Sequence, residues 1–215
     1  MNFFAHYYFD HKPSKPIYNF GLLTPDLLRN FTPNDYNKHL LVHPTQHSPW
    51  FEGISQHINR DKSFHHSPFF DAVYKNCREN CKSVFEICKI PRFWFALHVV
   101  IEMILDKVLI QQDNEKLSQF YLELETVKPE LPVLLGQIEH QNIPLFEQRF
   151  DRFLESKYLY KYQESHGIIY GLNRVFIQVG ASNREWNETQ YLQLTHLVNH
   201  IEREIELHLN LLQHS

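Results

Sequence analysis

The segment GISQHINRDKSFHH places His57, Asp61 and His65 four residues apart, so that on a helix the three side chains share one face. An imidazole and a carboxylate one turn apart, with Cβ atoms about 6 Å from each other, can converge on a single ion. The HxxxD spacing is by itself a weak signal. His65 and His66 precede Ser67 and Pro68 and read as helix-end residues, which leaves His57 and Asp61 as the pair with chemical content. A second stripe runs through FALHVVIEMILDKV, where His98, Glu102 and Asp106 recur every four residues among large apolar side chains. A buried carboxylate is costly unless it is paired or binds metal, so His98 and Glu102 are candidate ligands. The competing reading is a helix edge that reaches solvent, with Asp106 outside and His98 hydrogen-bonded in the core. His39, His43 and His47 share the spacing of four, but Pro44 breaks the register.

Other catalytic grammar is missing: the chain contains no GxGxxG, no P-loop, no GxSxG and no HExxH. Cys77 and Cys81 fall on the apolar stripe of their segment and read as small hydrophobes rather than nucleophiles. Asp26 sits in the first turn of a helix, where the macrodipole stabilises any carboxylate. His6, in an aromatic N-terminal run, is by itself a core histidine. Metal chemistry is the reading that remains.

The elements that must position these residues are helical. Only 6 glycines punctuate 215 residues, and long segments carry apolar residues at three-and-four spacing, which predicts an all-α, single-domain bundle over residues 1–215. Thr24, Pro25 and Asp26 read as N-cap, first position and first-turn acid of one helix. Another helix spans about 50 to 66 and ends before Pro68. Phe69, Phe70, Val73, Cys77, Cys81, Val84 and Phe85 mark a third, residues 93–111 a buried one, and 113–127 the next. Two more follow, the second closed by Gly180, and Ser182 with Glu185 reads as the capping box of a long last helix.

The net charge of -4 and the pI near 6.4 provide no basic field for a nucleic-acid backbone. The apolar run at 93–111 carries too many charges for a membrane span, and the N-terminus lacks the positive region of a signal peptide. With three unpaired-looking cysteines, a reducing cytoplasm is the expected location.

In order, MNFFAH, GLLTPDLLRNF and GISQHINRDKSFHHSP resemble the acyl-carrier-protein phosphodiesterases, the ACP hydrolases, divergent relatives of HD-domain phosphohydrolases. The resemblance implies an HD-phosphohydrolase-like helical fold and a role in lipid metabolism. The implied reaction is metal-dependent hydrolysis of a phosphodiester, the phosphopantetheine link of holo acyl carrier protein, which is the implied partner. The implied cofactor is a divalent ion, Mn²⁺ first and Fe²⁺ or Zn²⁺ next. His6, Asp26, His57 and Asp61 match the family's pattern, and with His98 and Glu102 they make the implied metal set, in which Asp26, Asp61 and Glu102 carry the catalytic roles. The family's Asp-x-x-x-Asp-His becomes His98, Glu102 and Met103 here, its arginine after the histidine becomes Ile58, and its aspartate after Asp61 becomes His65. The firm motifs cover about the first third of the chain. Arg29, Arg60 and Arg92 are candidates to neutralise phosphate charge, and Lys89 with Arg92 could contribute a local basic patch for an acidic partner. Two other classes compete: a non-catalytic helical scaffold, motivated by Met103, and a ferritin-like metal protein, for which the expected pair of ExxH helices is missing.

Overall fold

The computed structural model describes residues 1–35, 41, 48–178 and 185–212. Among them there are eleven α-helices and no strand, in keeping with the all-α expectation. In chain order these are α1 (Phe3–Asp10), α2 (Pro16–Gly21), α3 (Thr24–Phe31), α4 (Pro49–His65), α5 (Pro68–Ile87), α6 (Phe93–Gln112), α7 (Asn114–Val127), α8 (Leu131–Gly136), α9 (Ile143–Ser156), α10 (Ser165–Gln178) and α11 (Glu188–His208). No helix among the described residues is long and apolar enough to cross a membrane.

The chain divides into two compact units, Met1–Lys62 with Asp113–Tyr158 and Ser63–Gln112 with Leu159–Ser215. The chain passes from one to the other inside α4, between α6 and α7, and within the 3-10 turn Tyr158–Gln163. No Gly- or Ser-rich linker marks any of these crossings.

The first unit is held by aromatic rings. Phe120 of α7 meets Phe4 and Tyr7 of α1 edge-on, with centroids 6.0 and 5.2 Å away, and Phe20 of α2 meets Phe150 of α9 at 5.8 Å. Such edge-to-face pairs add about 0.5–1.5 kcal/mol each beyond the apolar area they bury. Gly21 of α2 and Gly53 of α4 let two backbones touch: a Cβ at Gly21 would lie 2.2 Å from the Trp50 carbonyl oxygen, and one at Gly53 would lie 2.1 Å from that of Tyr18. Only residues without a side chain permit this approach.

Thr24 departs from its expected role. It is the first residue inside α3, and its hydroxyl donates to the Phe20 carbonyl at 2.9 Å while accepting from Trp50 Nε1 at 2.8 Å. A buried indole N–H needs an acceptor, and Thr24 satisfies it, tying α3 to the head of α4.

In the second unit α5 packs on α6 and α11, and α10 on both α6 and α11. All seven apolar positions read from the sequence of α5 are buried. Ser67 caps α5 by accepting from Phe70 N–H at 3.1 Å and donates to the Phe64 carbonyl at 2.7 Å, which fixes the corner after α4. Asp106 of α6 is completely buried rather than at a solvent edge, and its neighbour Lys107 forms an ion pair with Glu202 of α11. The last helix begins at Glu188, where Asn187 and Gln190 form the capping box. Ser182, Gly180 and the His39, His43 and His47 trio lie outside the described residues.

Candidate metal centre

The contact between Gly21 and Gly53 has a direct consequence for His57, which lies one turn after Gly53. It sets the His57 ring under the chain just beyond Gly21, where Nδ1 is 2.7 Å from the Leu22 carbonyl oxygen. A carbonyl can only accept, so Nδ1 carries the proton and Nε2 keeps its lone pair. Burial pushes the His57 imidazole below its ordinary value, although Asp26 and the bond to Leu22 pull the other way, so the ring is neutral at neutral pH. Its Nε2 is 4.0 Å from Asp26 Oδ1, and the His6 ring stacks on it with centroids 3.8 Å apart. His6, Asp26 and His57 thus offer three ligand-type atoms within 4.8 Å of one another, two of them from buried imidazoles. The orienting bond from the far ring nitrogen to a backbone carbonyl is the usual support of a metal-binding histidine.

Asp61, one turn further along α4, accepts from the Met1 amino group at 2.6 Å, and its negative charge is felt at His57. Arg29 reaches within 4.0 Å of Asp26 Oδ1 and is more than half exposed. Arg60 is held by the Asp10 carboxylate in a fork at 2.8 and 3.0 Å. Arg92 and Lys89 both adopt left-handed backbone at φ 54°, on either side of the Ile90-Pro91 link into α6.

A second constellation forms in the other unit. His98 and Glu102, one turn apart on α6, meet His65, the last residue of α4. His65 Nε2 is 2.7 Å from His98 Nε2 and 3.2 Å from Glu102 Oε1, and His98 Nε2 is 3.0 Å from the same oxygen. Burial opposes the charge on Glu102, yet nearby positive charge and, after it, the hydrogen bonds from His65 and His98 hold its carboxyl well below the usual carboxylate range. The Phe70 ring packs its edge against both imidazoles, at 5.4 and 5.3 Å.

Of the six residues singled out from sequence, four belong to the first unit and two to the second. His6, Asp26 and His57 converge in the first unit, with Asp61 on the same helix as His57. His98 and Glu102 converge in the second with His65, a residue read from sequence as a helix end. Helix end it is, but the capped corner at Ser67 turns it toward α6. The three cysteines are buried, and burial pushes the Cys77 thiol up to about 12 and those of Cys81 and Cys88 upward as well, which removes them as nucleophiles. A cleft of about 510 Å³ is lined by Lys12, Tyr18 and, on α4, Phe51, Ser55, Gln56 and Asn59, none of which belongs to either ligand-type cluster.

No protein-family profile matches the chain, and neither curated proteins nor solved structures give a significant match.

Proposed function

We propose that the chain is a metal-dependent phosphohydrolase that cleaves a phosphodiester, with the phosphopantetheine link of holo acyl carrier protein as the substrate suggested by its resemblance to the ACP phosphodiesterases. One observation carries the reading: His57 is a neutral imidazole whose lone pair faces the Asp26 carboxylate across 4.0 Å, beside a stacked His6. Two acceptors turned toward each other in a buried place are stabilised by a cation between them. Mixed imidazole and carboxylate donors suit Mn²⁺, Fe²⁺ or Zn²⁺, so His6, Asp26 and His57 fit the implied ion and would hold it. When bound, such an ion supplies Lewis acidity toward a phosphoryl oxygen and makes water easier to deprotonate.

The protein's own groups supply the rest. Leu22, through its carbonyl, holds the His57 ring in the ligating tautomer. Asp61, partly exposed and close enough to His57 to act on its charge, takes the proton of the attacking water. Arg29, beside Asp26 and open to solvent, meets the negative charge that builds on the phosphate.

The test is release of phosphopantetheine from holo acyl carrier protein, followed by mass spectrometry in Mn²⁺ buffer, with a chromogenic phosphodiester run in parallel. His57→Ala and Asp26→Asn should each lower turnover about 100-fold or more. Turnover equal to the unaltered protein in both variants would refute the assignment. A second reading, a helical scaffold without catalysis, is favoured by Met103. That residue stands where the family carries a histidine, and it is buried against α10, its Cε only 2.6 Å from where a Gly171 Cβ would sit. A scaffold predicts no turnover and no stoichiometric metal.

A further inference from the structure

We propose that His65, His98 and Glu102 form a second metal site that takes a borderline divalent transition-metal ion, Zn²⁺ or Fe²⁺, on one face and leaves its remaining positions open. The inference rests on the geometry of three residues of the second unit, and on none of His6, Asp26 and His57.

The geometry is a closed triangle of ligand atoms with edges of 2.7, 3.0 and 3.2 Å. Hydrogen bonds cannot satisfy all three edges at once. An imidazole nitrogen either carries a proton and donates or carries a lone pair and accepts, and an ionised carboxylate only accepts. If both nitrogens donate to Glu102, two N–H groups face each other across the shortest edge. If one of them accepts from the other, its lone pair faces the carboxylate. Every protonation state with Glu102 ionised leaves one edge repulsive, whereas a single cation satisfies all three.

The edge lengths fit that role. Metal–ligand bonds of about 2.1 Å separate neighbouring ligand atoms by about 3.0 Å at octahedral right angles and by about 3.4 Å at the tetrahedral angles usual for zinc, so the edges match three adjacent positions of a six-coordinate ion such as Fe²⁺ most closely and need a small opening for Zn²⁺. Two histidines and one carboxylate on one face are the donor set of zinc hydrolase sites and of non-haem iron(II) sites, both of which keep open positions for substrate. Access is available, since the His98 side chain is 36% exposed and that of His65 23%. An aromatic wall borders the site: Phe70 against both imidazoles, Tyr74 stacked on Phe70, and the exposed Trp94 stacked on Tyr74 at 5.8 Å. Such a wall lowers the local dielectric and strengthens binding of a charged ion.

The sequence supports the choice of metal. The donor set is two imidazoles, His65 and His98, and one carboxylate, Glu102, rather than three carboxylates. Replacing two oxygen donors by nitrogen moves a site away from hard ions and toward Zn²⁺ and Fe²⁺.

The experiment uses the full chain without a polyhistidine tag, with Zn²⁺ and, under anaerobic conditions, Fe²⁺ as probes in separate equilibrium titrations. His57→Ala protein should still bind one equivalent with tight affinity, and His98→Asn and Glu102→Gln should each weaken that binding at least about 100-fold. Co²⁺ substitution supplies a second readout, since its visible absorption bands should persist in His57→Ala and vanish in His98→Asn. Far-UV circular dichroism checks that the variants are folded; should His98→Asn lose helicity, the near-isosteric Glu102→Gln decides. Affinity unchanged in the folded variants, or no stoichiometric Zn²⁺ or Fe²⁺ on the unaltered protein, overturns the site. Loss of phosphodiester turnover in His57→Ala alone tests the other centre and leaves this one standing.

Discussion

At the scale of single residues, the tautomer of His57 ties chemistry to pH. Burial holds the folded imidazole below its ordinary value near 6.5, so as the pH falls through that value the unfolded chain takes up a proton that the folded chain refuses. Stability attributable to His57 is therefore fully present above about pH 6.5, and below it declines by at most about 1.4 kcal/mol per pH unit until the folded group also titrates. Urea unfolding of chelator-treated protein should show this decline between about pH 7 and 5.5, with a shallower slope in His57→Gln. Identical slopes would mean that His57 is not held neutral by the fold. His57 stood out in the sequence through its spacing to Asp61 and the resemblance to the ACP phosphodiesterases, and the fold adds that its ring meets His6 and Asp26. His65 was not, because its partners lie 33 and 37 residues away, and periodicity along one segment says nothing about contacts of that span.

At the scale of elements, the candidate ligands are placed by close backbone contact and by caps more than by amphipathic stripes. Methyl groups at Gly21 or Gly53 would meet carbonyl oxygens at 2.2 and 2.1 Å, backbone atoms that cannot move aside as a side-chain tip can. Gly53→Ala should cost about 1–3 kcal/mol or more and should also displace His57 from Leu22. Gly136 is an internal comparison, since a Cβ there meets nothing within 4 Å and Gly136→Ala gains helix propensity worth up to about 1 kcal/mol. Thermal melts of the two variants should move in opposite directions, and a Gly53→Ala protein as stable as its parent would show that α2 and α4 do not touch this way. The stripe of α5 and the extent of α6 were readable because core burial imposes the 3.6-residue period. The head of α11 was not: Ser182 with Glu185 and Asn187 with Gln190 are both acceptable capping pairs locally, and residues Glu185 to Asn187 are non-helical in the fold. Thr24 likewise has the chemistry of a cap but is used to satisfy the Trp50 indole, a tertiary demand invisible in its neighbours.

At the scale of the whole molecule, the division into two units gives each ligand cluster its own structural support, and the cysteines report on only one of them. Cys77, Cys81 and Cys88 are buried in α5 and at its end, all within the unit that carries His65, His98 and Glu102. A thiol reagent can reach them only when that unit opens, and the labelling rate follows the population of the open form when closing is fast. An ion that binds the closed unit and not the open one lowers that population by the factor 1 + [L]/Kd, about 100-fold at a free concentration one hundred times Kd. Added Zn²⁺ should therefore slow thiol labelling of the unaltered protein and of His57→Ala to similar degrees, and should leave the rate in Glu102→Gln nearly unchanged. If Zn²⁺ slows labelling in Glu102→Gln as strongly as in the parent, the ion stabilises this unit through other residues. If it protects the parent but not His57→Ala, the protection originates in the first unit, and the triangle at the end of α4 is a hydrogen-bonded corner rather than a metal site.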